Sequence, residues 1–85
     1  MTNEALLARV KELVADVCGV DAAAVADDGK LLGYGLDSVR ALDLFLAFED
    51  ELGIEIDEHD PELGAIKTVR QLAEFLARRH AEMGD

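Results

Sequence analysis

The sequence predicts an all-α domain, a small four-helix bundle made of three main helices and one short one. Three observations point there. Apolar residues recur at helical spacing in three separate segments. Each segment is framed by residues that start or stop helices. The one alternating stretch, Ile54-Glu55-Ile56-Asp57, has no second strand to pair with and reads as an extended connector.

The first helix is expected to begin near Thr2 or Asn3, either of which can cap it. Leu6, Val10, Leu13, Val14 and Val17 then share one face. Gly19 is a natural stop, because glycine tolerates the left-handed conformation that ends many helices. Residues 20–36 show no sustained period. They read as a long ordered loop pinned by Val25, Leu31, Leu32 and Leu36, and a loop of this length commonly contains a short helical turn. The second helix runs from about Ser38 to Leu52, with Asp37 or Ser38 as cap and Gly53 behind it. Asp60-Pro61 marks the short third helix, with Asp60 as cap and Pro61 in the first helical position. Thr68 and Gln71 fit a capping box that opens a last helix reaching roughly Arg79, with Val69, Leu72, Leu76 and in part Phe75 inward.

Eighty-five residues suit one domain, spanning 1–85, and the 51% hydrophobic content is enough for a core. Nineteen acidic residues face eight Lys and Arg, a formal charge of -11. Such a surface repels nucleic acid and anionic lipid, whose binding needs cations. It suits partners with basic patches; the plain alternative is that the acids keep the chain soluble. Cys18 has no second cysteine to pair with and, among Val14, Val17 and Val20, reads as a buried, inert thiol. His59 and His80 lack metal-ligand spacing and read as surface residues, so no metal site is expected. The opening residues show neither a signal peptide nor a membrane span, which sets the expectation of a cytoplasmic, monomeric protein.

The second helix carries more apolar surface than one core contact needs. Ala41, Leu44, Phe45, Phe48 and Leu52 form a stripe sufficient to face a core. Arg40, Asp43, Ala47 and Asp50 form a mostly polar stripe. Between them lies a further row, Val39, Leu42 and Leu46, leading to Glu49. That row is either wedged against a flanking helix or left near the surface for a ligand or partner.

The segment with chemical content is Leu32-Gly33-Tyr34-Gly35-Leu36-Asp37-Ser38-Val39. Asp37 and Ser38 could simply cap the helix. The setting also suits a phosphate, since a helix start presents free N–H groups and the positive end of the macrodipole. A serine hydrolase is excluded: the segment is not G-x-S-x-G, no strand precedes it, and nothing in the sequence brings His59 or His80 to Ser38. Calcium binding is excluded as well. The stretch from Asp57 begins like an EF-hand loop, but Glu62 stands where glycine is needed and Thr68 where glutamate is needed.

Leu32, Gly35-Leu36-Asp37-Ser38-Val39, Leu42 and Leu44 together resemble the attachment motif of the acyl carrier protein family. The run from Phe48 through Leu52-Gly53 to Ile56 resembles that family's end of helix two. Ile66 to Leu72 resembles its entry into the last helix. The resemblance spans nearly the whole chain. It implies the family's four-helix fold and a non-catalytic carrier whose cofactor, 4′-phosphopantetheine, is attached to a serine by a transferase that uses coenzyme A. By position that serine is Ser38, and Asp37 matches the acidic residue that helps the transferase and its magnesium engage. Val39, Leu42 and Leu46 match apolar positions beside the arm and at the mouth of the cargo cavity. Asp43, Glu49 and Asp50 match acids that meet basic partner enzymes.

Two departures stand out. Val39 replaces the commonest leucine, and Arg40 stands where fatty-acid carriers often have an acid, next to the partner row. A carrier for a specialised pathway is therefore favoured over the housekeeping fatty-acid carrier. Fatty acyl, polyketide and aminoacyl or peptidyl cargo share the pattern. The competing hypothesis from another class is an unmodified helical interaction module whose Val39, Leu42 and Leu46 row docks a partner helix.

Overall fold

A computed structural model describes residues 3–57 and 59–83. Its three α-helices coincide with the three apolar stripes. They are α1 over Asn3–Cys18, α2 over Ser38–Leu52 and α3 over Val69–Met83. Among the described residues there is no strand, and Ile54–Asp57 is an extended connector; Lys30 and Thr68 form one isolated antiparallel bridge.

Local chemistry sets most boundaries. Asn3 is already helical, and the capping expected of Thr2 lies outside the described residues. α1 ends at Gly19, whose φ of 69° is left-handed, and Val20 N donates to Ala15 O at 3.0 Å to close the turn. Asp37 caps α2, its Oδ1 accepting from Arg40 N at 2.8 Å; Gly53, at φ 66°, ends the helix. The capping box of α3 is present: Gln71 N donates to Thr68 Oγ1, and Thr68 N donates to Gln71 Oε1, each at 3.1 Å. α3 runs past its expected end near Arg79 to Met83, because no glycine or proline interrupts that stretch.

The short third element is a 3-10 turn over Pro61–Ala65 instead of an α-helix. Asp60 caps it as expected, accepting from Glu62 N at 2.9 Å. Such tight winding is frequent in short connectors between helices.

α1 packs against both α2 and α3. The core comprises Leu6, Val10, Leu13 and Val14 of α1, Leu44 and Phe48 of α2, and Val69, Leu72, Phe75 and Leu76 of α3. Val17 is only half-buried, whereas Phe75 is fully inward. Cys18 is half-buried, and burial pushes its thiol above the usual value. His59 is exposed and His80 half-buried.

The long loop contains two 3-10 turns, Ala22–Ala24 and Leu31–Tyr34. Val25 and Leu31 pin it as expected and Leu36 is half-buried, but Leu32 is 78% exposed. In a 3-10 turn successive side chains diverge by about 120°, so when Leu31 points inward Leu32 cannot. Tyr34 supplies the missing anchor. Its ring packs against the core, and its Oη accepts from Ala26 N at 2.9 Å. Further ties run to the helices. Lys11 Nζ meets Asp27 at 2.7 Å and Arg70 Nε meets Asp28 at 2.7 Å. The hydrogen bond from Lys11, with its charge and that of Arg70, holds the Asp27 carboxyl below the usual carboxylate range.

Gly29 is required by this packing. A Cβ there would stand 1.9 Å from Tyr34 Oη and 2.8 Å from the ring carbon that bears it. Gly29→Ala must displace the ring and its hydrogen bond to Ala26, and urea unfolding is expected to show a loss of about 1–3 kcal/mol. In a Tyr34→Ala background the same substitution should cost little. An equal cost in both backgrounds would rule out the clash as its cause.

Candidate functional site

Ser38 is the first residue of α2 and is exposed. It is not the cap; that role belongs to Asp37. The first turn of any helix leaves N–H groups without intrahelical partners. Asp37 Oδ1 takes that of Arg40, and those of Ser38 and Val39 have no hydrogen-bond partner among the described residues. The loop that delivers Ser38 ends at Gly35, whose φ of 88° is a left-handed value that side-chain-bearing residues rarely adopt. Gly35 N donates to Leu32 O, and Leu36 N to Leu31 O, so the approach to the helix is fixed by backbone bonds.

Arg40 folds back over this entry. Its Nη1 lies 3.3 Å from Asp37 Oδ2 and 3.3 Å from Gly35 O. The cation therefore turns toward the serine end of the helix, and Asp37 offsets part of its charge.

The apolar row of α2 lies at the surface. Val39 is 71% exposed, Leu42 45% and Leu46 54%. The alternative that a flanking helix covers the row is thereby settled. Asp43 and Asp50 are exposed near it. Glu49 differs: it is half-buried, and its Oε2 accepts from Ile56 N at 2.9 Å. Its carboxylate holds the connector after α2 in place, so it is less available to a partner than its two neighbours.

One turn along α2 from Ser38, and on the adjacent face, is an apolar cavity of about 560 Å³. Its walls are Leu31, Leu32 and Leu36 from the loop, Ala41 and Phe45 from α2, Leu63, Gly64 and Ile66 from the Pro61–Ala65 turn and its exit, and Leu72 from α3. Lys30 and Lys67 complete the lining. Val39, Leu42 and Leu46 do not line it, contrary to the expectation that they sit at its mouth. The physical reason is the helical angle. Ala41 and Phe45 are three and seven residues beyond Ser38, whereas Leu42 and Leu46 lie about 100° further round. Ser38 thus stands at the seam between a hollow face and an exposed apolar face. The sequence places Ala41 and Phe45 on the stripe expected to face the core. Both are half-buried, while Leu44 and Phe48 are fully enclosed. The readable signal was the small residues, Ala41 and Gly64, which leave space where larger side chains would fill it.

The site therefore offers a hydroxyl at a helix start, two uncommitted N–H groups and an apolar hollow beside them. A phosphodiester on the serine oxygen fits the first two, and an apolar chain fits the third. No histidine is among the residues described at this entry or cavity.

Comparison with known proteins agrees with this geometry. Residues 8–76 match the family model described as a phosphopantetheine attachment site. Over 75 residues the chain is 36% identical to the acyl carrier protein of Solidesulfovibrio magneticus, covering 87% of this chain and 94% of that one. It is 30% identical over 79 residues to the acyl carrier protein of Thermotoga maritima, covering 92% and 95%. A crystal structure of acyl carrier protein from Thermotoga maritima superposes with a TM-score of 0.77 at 28% identity, over 98% of this chain and 95% of that one.

Proposed function

Because the chain belongs to the acyl carrier protein family, whose members are non-catalytic carriers bearing phosphopantetheine, we propose that residues 1–85 form a carrier domain with its arm on Ser38. The observation that carries this is the exposed Ser38 hydroxyl at the start of α2, beside unpaired N–H groups and the apolar cavity. The bound arm supplies a thiol, which holds cargo as a thioester at neutral pH where a serine hydroxyl would not.

The chain's own residues do the rest. In attachment, the Ser38 oxygen bonds the phosphorus on the pantetheine side of coenzyme A, adenosine 3′,5′-diphosphate leaves, and the hydroxyl proton passes to solvent or a transferase base. Asp37 fixes the serine by capping α2, and it presents a carboxylate to the transferase and its magnesium. The N–H groups of Ser38 and Val39 and the helix dipole favour the phosphodiester. The cavity excludes water from an apolar cargo.

Wild-type protein incubated with a broad-specificity transferase, magnesium and coenzyme A should gain one arm per chain. The arm should map to the tryptic peptide Leu31–Arg40, which contains Ser38. An unmodified chain beside a working control carrier would overturn the proposal and favour an unmodified interaction module.

The cargo proposed is an acyl intermediate of fatty acid, polyketide or related specialised biosynthesis, and Arg40 favours a specialised pathway. The docking face proposed for partner enzymes is Val39, Leu42 and Leu46 flanked by Asp43 and Asp50, with Arg40 at one end and Glu49 contributing least. Carrier proteins work with partner enzymes, and a chain of net charge -11 attracts those with basic patches. Among the described residues no helix is long and apolar enough to cross a membrane.

Each exposed acid contributes about 0.2–1 kcal/mol to such an encounter. Asp43→Lys/Asp50→Lys should therefore slow cargo loading several-fold at low salt, the deficit should shrink as salt rises, and the melting temperature should hardly move. Loading at the wild-type rate in low salt would reduce these acids to a solubility role.

A further inference from the structure

Asp37 spends both carboxylate oxygens on one residue. Its Oδ1 accepts from Arg40 N at 2.8 Å, the bond that caps α2. Its Oδ2 accepts from Arg40 Nη1 at 3.3 Å, and the same nitrogen donates to Gly35 O at 3.3 Å. Capping does not require the second contact. Asp21 and Asp60 cap their turns through Oδ1, and among the described residues neither forms an ion pair. The Arg40 side chain therefore adds a clasp over the entry to α2, reaching back from the helix to its cap and to the last glycine of the loop.

The clasp holds the group that attachment uses. On the carrier reading, Asp37 presents its carboxylate to the transferase. Oδ1 is committed to Arg40 N, so Oδ2 is the oxygen left to meet a cation from outside. The guanidinium already sits on it. An arriving cation must displace the guanidinium or share the oxygen with it, and two cations on one oxygen repel each other. Both side chains are exposed, so the contact is weak and screened, yet breaking it still costs a measurable factor. The cap survives the displacement, because it uses the backbone of Arg40 and not its side chain.

We infer that Arg40 is a positioning residue for arm attachment, its guanidinium holding Asp37 Oδ2 and so setting how readily a transferase captures the chain. This rests on the carrier reading and on the part Asp37 plays in it. Arg40 acts here through Asp37. The Ser38 hydroxyl is not in the clasp, so the effect falls on capture and leaves the bond-forming step alone. The plain alternative is that Arg40, at one end of the docking face, repels a basic partner directly and has no business with Asp37.

The two readings separate in a double-mutant cycle. Arm attachment is followed by intact mass at saturating coenzyme A and magnesium, with the carrier concentration varied, for wild type, Arg40→Gln, Asp37→Asn and Arg40→Gln/Asp37→Asn. Arg40→Gln should lower KM about two- to fivefold, the range an exposed ion pair sustains, and leave kcat unchanged. The gain should shrink at high salt. Asp37→Asn keeps an oxygen for Arg40 N and has no anionic oxygen to clasp, so in that background the same substitution should leave KM where it was. A gain of equal size in both backgrounds overturns the inference and makes Arg40 a directly repelling charge. An Arg40→Gln KM at or above the wild-type value also overturns it, as does a change confined to kcat. If Asp37→Asn transfers too slowly to give a KM, the dissociation constant of each chain from the transferase, measured without coenzyme A, runs the same cycle with the same two outcomes. Wild type that gains its arm while KM ignores Arg40 refutes this inference alone. Wild type that stays at its starting mass refutes the carrier reading, and the inference falls with it.

Discussion

Ser38→Ala protein is expected to leave incubation with transferase, magnesium and coenzyme A at its starting mass, while wild type gains one arm on every chain. The loss should be complete, because no other hydroxyl occupies that place at the start of α2. Stability should change by no more than about 0.5 kcal/mol, since Ser38 is exposed and the cap is Asp37. Asp37 separates structure from recognition. Asp37→Asn can still accept the hydrogen bond from Arg40 N, so it should keep the fold and lose transfer rate. Asp37→Ala should lose rate and about 1 kcal/mol of stability. Arm attachment to Ser38→Ala would place the site elsewhere. Wild-type transfer to Asp37→Asn would restrict Asp37 to capping.

Phe48→Ala is expected to lower stability by about 3–5 kcal/mol, the usual cost of emptying a fully enclosed aromatic site. Phe48 has no exposed surface and belongs to the core that the three helices share. For a domain of this size each kcal/mol shifts the melting temperature by about 4–8 °C, so the drop should exceed 10 °C and could unfold the chain at room temperature. Two nearby residues on the same helix provide the contrast. Leu46→Ala should be nearly silent, because the side chain is 54% exposed. Phe45→Ala should fall between them, since Phe45 is half-buried and one side already faces the cavity. Thermal melts of the three variants test the placement directly. A Phe45→Ala loss equal to that of Phe48→Ala would mean that the cavity is filled by packing in solution.

What the sequence decided by itself is local or periodic. The caps at Asp37, Asp60 and Thr68 with Gln71, and the glycine stops at Gly19 and Gly53, involve residues within a few positions of one another, and all appear in the structure. The core face of each helix follows from a 3.6-residue period, and the segment around Ser38 carries its family resemblance in consecutive residues. The tertiary structure alone decided how the apolar positions divide between core, hollow and surface. α2 is apolar around more than half of its circumference, and no periodicity can say which part another element will cover. Leu44 and Phe48 are fully enclosed in the core that the helices share. Ala41 and Phe45 face a cavity closed by the Pro61–Ala65 turn, and Val39, Leu42 and Leu46 stay at the surface. Leu32, expected to pin the loop, is exposed, and Tyr34, to which the sequence assigned no role, packs inward in its place, because a 3-10 turn admits one of the two inward directions and Gly29 leaves room for the ring. The pairing of Lys30 with Thr68 joins residues 38 positions apart in sequence through one backbone bridge. Contacts at that separation depend on the whole chain folding back on itself, a cost met by the common core and by no signal at either residue.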